Sequence, residues 1–131
     1  MGEYEAIATK EQYISALIAL RDNSRFRTTR YLDILRTQAK MENQTITSTK
    51  MAEALDFPNY NTANLKYGLL GHELADALNY IPHTRKDGSP VWFWAISTGN
   101  PASDETIDGH YEFVMRPELY EALLEIRWVR E

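Results

Sequence analysis

The run Ala63, Tyr67, Leu70, Leu74 and Leu78, with Ala77 beside it, most limits how this 131-residue chain can fold. Spaced by three and four, these residues form one stripe of a helix that must be buried against something. Just upstream, Thr45 to Leu55 reads as a shorter helix capped by Thr47 or Ser48. If Thr47 is the cap, Ile46 and Met51 take the two positions of a hydrophobic staple. Pro58 closes that helix by pushing Phe57 toward extended backbone, and Asn61 is placed to cap the next one. The result is helix, turn, helix over about 47–78. There the first helix braces the second, whose start, rich in Asn59, Asn61, Thr62, Asn64 and Lys66, projects hydrogen-bonding side chains outward. Gly68 and Gly71 each cost a helix about 1 kcal/mol against alanine, so they predict a close approach by another backbone.

The flanking segments complete the expected order. Thr9 and Gln12 make a capping box for a helix from Lys10 to about Asp22, and a second helix runs from Tyr31 to about Met41. Beyond Asn79 the texture turns to strand. Tyr80 to Thr84 and Val91 to Ser97 flank the turn-rich Arg85-Lys86-Asp87-Gly88-Ser89-Pro90, and His110 to Met115 is a third strand candidate. Pro117 then opens a closing helix over about 117–127. The expected fold class is therefore α+β, helix-rich, with a small two- to three-stranded antiparallel sheet and a C-terminal helix. Residues 1–131 are of a size to make a single domain.

Composition restricts the chemistry. With no cysteine there is no disulfide framework, thiolate nucleophile or cysteine-based metal site. No apolar run approaches the roughly 20 residues that span a bilayer, and Glu3 and Glu5 stand where a signal peptide carries positive charge. The expectation is a cytoplasmic protein with no membrane partner. The net charge of −5 counts against nucleic acid. It is unevenly spread: residues 21–50 hold seven basic side chains against three acidic ones, and from residue 98 onward three face eight. Such polarity allows one basic face toward phosphates, while an ordinary mixture of surface charges explains it equally well.

A helix-turn-helix followed by a β-hairpin resembles the winged helix-turn-helix superfamily over roughly residues 45–116, with Asn61 to Leu78 as recognition helix, a β-hairpin over about 91–115 and Thr98 to Gly109 as the wing. Ile46 to Leu55 with Tyr60 to Leu78 also resembles the DNA-binding half of alkyltransferase-like proteins and small domains attached to HNH nucleases. The chain departs from both in lacking an alkyl-acceptor cysteine and clustered histidines, so the resemblance implies binding alone. It departs from the superfamily in the length of the Asp56 to Asn61 connection and in the acidic Asp104, Glu105 and Asp108 of the wing.

Two sets of residues are candidates for a site. Asn59, Asn61, Thr62, Asn64 and Lys66 can meet bases and phosphates in a major groove, with Arg25, Arg27, Arg30 and Lys50 holding backbone phosphates. Capping and an exposed polar face account for the same asparagines. Trp92, Trp94 and Tyr111 form the second set, an aromatic wall able to stack a base, or else a sheet face packed on the helices. His72, His83 and His110 are too scattered to predict a metal, no phosphate-loop or hydrolase motif occurs, and no cofactor is implied. The reading is a non-catalytic DNA-binding protein with duplex DNA as partner and homodimerisation open. The alternatives are an acidic inhibitor of phage or mobile-element type that captures a basic protein partner, and a nucleotide or modified-base binding module.

Overall fold

The computed structural model describes residues 4–23, 29–99 and 110–130. Among them the chain folds as α+β: α1 (Lys10–Arg21), α2 (Tyr31–Ala39), a 3-10 turn (Glu42–Gln44), β1 (Thr45–Ile46), α3 (Ser48–Leu55), α4 (Tyr60–Leu78), a second 3-10 turn (Trp92–Ala95), β2 (Ser97–Gly99), β3 (Phe113–Met115) and α5 (Pro117–Glu125). The three strands form one antiparallel sheet in the order β1-β3-β2, with Thr45 opposite Val114 and Thr98 opposite the same residue from the other side.

Local chemistry explains the helix boundaries. Thr9 accepts from the Gln12 amide while the Gln12 side chain returns to the Thr9 amide, so both halves of the capping box form. The Thr47 hydroxyl accepts from the Lys50 amide at 3.1 Å and starts α3. Asp56 and Asn79, with φ of 61° and 60°, end α3 and α4 in the left-handed conformation that short polar side chains tolerate. Pro117 occupies the first turn of α5, where a missing N–H costs nothing.

Helix α4 is the axis of the core. Ala63, Leu70, Leu74 and Ala75 are wholly buried, and α1, α2, α3 and the Trp92–Ala95 turn all pack on it. Leu78 is only half-buried and Ala77 is exposed, so the buried stripe ends before the helix does. Helix α5 closes the core by packing against α1. Tyr13 ties that layer to the sheet side, donating to the carbonyl of Ala95 at 2.7 Å.

Three sequence expectations are corrected. The cap of α4 is Asn59, not Asn61: the Asn59 carboxamide oxygen accepts from the Thr62 amide at 2.9 Å, and Asn61 lies inside the helix. The proposed hairpin of Tyr80–Thr84 with Val91–Ser97 shrinks to one bridge between Thr84 and Pro90, and Trp92–Ala95 is a 3-10 turn rather than a strand. The strands that do form are shorter and include β1, which lacks any length over which alternation could show. The two helical glycines differ in their surroundings. At Gly71 an added Cβ would collide with the Trp92 carbonyl, lying 2.7 Å from its carbon, whereas at Gly68 it would meet nothing within 4 Å.

Candidate functional site

A groove of about 980 Å³ lies between α4 and the segment from His83 to Trp94. Asn64, Leu65, Gly68, Leu69 and His72 of α4 form one wall; the aromatic turn with Trp92, Phe93 and Trp94, and Tyr111 from the approach to β3, form the other. This volume is at the upper end of those that take small ligands.

Close packing between backbones builds the groove. Because Gly71 has no side chain, the Trp92 peptide lies directly against α4, and the Trp92 ring then stacks on His72 at 3.8 Å and 9°. Phe93 turns inward onto Phe113, and Trp94 takes the edge of His83 at 5.0 Å. The 3-10 backbone thus sends three consecutive rings in different directions, where a strand would have paired Trp92 with Trp94. Beyond His83 the chain turns tightly: the Arg85 amide donates to Ser89, the Val91 amide donates to His83, and Gly88 takes a φ of 88°. Asp87 accepts from the Ser89 amide and hydroxyl, which holds its carboxyl below the usual carboxylate range. Arg85 and Lys86 are exposed at the tip, with Arg85 donating through Nη1 to the Pro90 carbonyl at 2.9 Å.

Below the groove is a buried polar network. The Tyr67 hydroxyl donates to Gln38 Oε1 at 2.6 Å and is hydrogen-bonded to Ser97 Oγ at 2.6 Å. The Gln38 amide donates to Ser97 Oγ, to the Phe113 carbonyl and to the Gln44 carbonyl. Burial pushes the Tyr67 hydroxyl far up from its ordinary pKa, with these bonds acting in the opposite direction. Each partner comes from a different element, so α2, α4 and the sheet hold a fixed spacing beneath the groove.

The sequence candidates are dispersed differently from the expectation. Asn59 and Thr62 are joined in the cap of α4. Asn64 Oδ1 accepts from Ser48 Oγ at 2.7 Å, and Asn61 is exposed on the same helix. Lys66 and Arg30 approach the Phe57 ring at 5.7 and 5.6 Å, and Arg30 also pairs with Asp33 at 2.7 Å. Lys50 is exposed on α3. Arg25, Arg27 and the acidic Asp104, Glu105 and Asp108 lie outside the described residues. The structure does bring Trp92, Trp94 and Tyr111 to one groove, and adds Asn64 to it.

Sequence reasoning missed the most exposed large side chains of α4, Leu65 at 64% and Leu69 at 46%, whose four-residue spacing marks a second, outward apolar stripe. It also missed Arg116, 1% exposed, which donates to the Trp94 carbonyl at 2.7 Å and to the Glu5 carbonyl at 3.1 Å. Its guanidinium stands 5.5 Å from both the Tyr4 and Trp94 rings, and Tyr4 donates onward to Glu118. Burial, followed by the Glu118 bond, pushes the Tyr4 hydroxyl up to about 12. No group of three potential metal ligands meets among the described residues, and no helix there is long and apolar enough to cross a membrane. The chain matches no family model, and neither a curated protein nor a solved structure resembles it significantly.

Proposed function

We propose that the chain is a non-catalytic DNA-binding protein of winged-helix type, with α4 as its reading helix. The observation that carries this is the topology: β1 precedes α3 and α4, β2 and β3 follow, and β3 returns to the middle of the sheet. That order seats α4 on the core through its buried stripe while leaving Asn61, Asn64, Leu65 and Leu69 on its outer side. Asn61 and Asn64 have the bidentate chemistry that reads adenine, and the two leucines suit thymine methyl groups. Cations flank this face: Lys66 and Arg30 at Phe57, Lys50 on α3, and Arg85 with Lys86 at the turn after α4. In this reading that basic turn adds phosphate contacts to those of Arg30 and Lys50, which the acidic 98–109 segment, the wing of the sequence resemblance, is unsuited to make.

Mobility-shift titration with duplex DNA at low salt tests the proposal. Replacing Lys66 with Ala should reduce the salt slope by about 0.9, the amount that one lost phosphate contact contributes on B-DNA. Absence of any duplex binding would refute it.

A second reading, capture of a basic protein partner, draws on a specific observation: exposed Leu65 and Leu69 on an overall acidic chain fit a protein surface with a positive rim. A partner-capture assay in which Leu65→Ala abolishes binding while duplex DNA is ignored would favour it.

A further inference from the structure

The groove lining differs from the rest of the molecule in its charge. The chain carries 19 carboxylate side chains, yet among the described residues none that lines the groove is Asp or Glu. Among them the permanently charged lining residue is Arg85, joined by His72 and His83. Trp92, Trp94 and Tyr111 are only half-buried there, and His72 stacks in parallel on one face of Trp92, which fixes that ring in the wall. A cleft whose described lining carries no carboxylate, with aromatic walls and a guanidinium at its mouth, suits a ligand that is flat at one end and anionic at the other.

We propose that this groove binds an unpaired nucleotide, the base lying against the aromatic wall and its phosphate meeting Arg85. The inference rests on the nucleic-acid reading above and narrows it. Bases within a duplex have both faces covered by their neighbours, so only a base at a strand end, in a gap or rotated out of the helix can stack on protein rings. Ser48 contributes selectivity: it engages Asn64 Oδ1, which leaves the Asn64 amide hydrogens to meet acceptors on the edge of the base. Arg85 donates through Nη1 to Ser89 Oγ and the Pro90 carbonyl, which holds the guanidinium while Nε and Nη2 remain for an anion.

Tryptophan fluorescence titration of the full chain with a dT12 oligonucleotide, with dTMP, with a fully paired duplex and with the same duplex carrying one mismatched thymine reads the proposal. Quenching by dT12 is expected, with the mismatched duplex bound more tightly than the paired one. Trp94→Ala should weaken dT12 binding roughly 5- to 150-fold, the range that loss of one stacked base spans. Because Trp94 also packs on Arg116, Leu65→Glu provides the independent variant: it is exposed, leaves the core alone, and places a carboxylate in the cleft, so dT12 binding should fall at least about tenfold with an unchanged melting temperature. Arg85→Gln should lower the dT12 salt slope by about 0.7. Binding of dTMP as tight as dT12 would identify a free nucleotide as the occupant. Equal affinity for paired and mismatched duplex, with dT12 binding unchanged by Leu65→Glu, would overturn the groove inference, whereas the α4 reading is decided separately by whether Lys66→Ala lowers the salt slope of duplex binding. No binding to any nucleic acid would overturn both.

Discussion

The carbonyl group of Trp92 lies against the Cα of Gly71, so close that a methyl group on Gly71 would overlap it. This contact brings the aromatic turn directly against α4 and limits the width of the groove between them.

Gly71→Ala is therefore expected to destabilise the fold despite alanine's better helix propensity, because backbone rather than a flexible side-chain tip must move. Gly68→Ala, with nothing within 4 Å of its Cβ, should stabilise by up to about 1 kcal/mol. Paired urea curves compare them. Equal shifts of the same sign would show that the Trp92 peptide does not press on α4.

Removing the Tyr67 hydroxyl takes a shared partner from Gln38 and Ser97, both wholly buried. Tyr67→Phe should cost about 1–3 kcal/mol, the range for leaving buried polar groups unsatisfied. A double-mutant cycle with Ser97→Ala should give a non-zero coupling. Strict additivity would remove the network from the account of how sheet and helices hold their spacing.

Alkaline pH should unfold the protein through its tyrosines. Burial raises Tyr13, Tyr67 and Tyr80 above the ordinary value near 10, and Tyr4 to about 12. Below pH about 10 both folded and unfolded chains keep these protons, so the contribution is complete. Above it the unfolded chain releases protons that the folded one retains, and stability falls as pH climbs toward the folded values. Denaturant midpoints at pH 8, 10 and 11 measure this; a midpoint unchanged to pH 11 contradicts it. Tyr67→Phe should flatten the decline.

Charge reversal distinguishes DNA binding from capture of a basic protein. Changing Asp104, Glu105 and Asp108 together to Lys should tighten duplex binding and steepen its salt dependence if DNA is the partner. Capture of a basic protein should instead slow, because attraction at the rim becomes repulsion. A DNA titration beside a pull-down reads both signs, and no change in either removes the segment from the functional surface.

The sequence revealed what was repeated or capped. The stripe from Ala63 to Leu74, the Thr9 and Thr47 caps and Pro117 each carry a local signal, and each forms. Short or distant relationships were not legible. β1 has two residues, too few for alternation to appear, and the Trp92–Ala95 run is apolar enough to pass for a strand. Asn59 and Asn61 are equally good caps by composition, and only the path of the chain after Pro58 selects the first. Gln38, Tyr67 and Ser97 are joined solely by the fold. Three of the groove's aromatic residues, Trp92, Trp94 and Tyr111, stand out by side-chain type, and the strand geometry that the sequence suggests for them does not form.

The central place of β3 has a consequence for how the domain comes into being. Both β1 and β2 hydrogen-bond to it, yet among the described strands it comes last in the chain, ahead of the helix that packs on α1. While the chain is still on the ribosome, the helical pair α3–α4 has its local contacts, but neither outer strand has its sheet partner. Closure must wait for a non-local pairing, the kind that slows folding. In that interval the emerging chain exposes the apolar surface that the finished sheet covers.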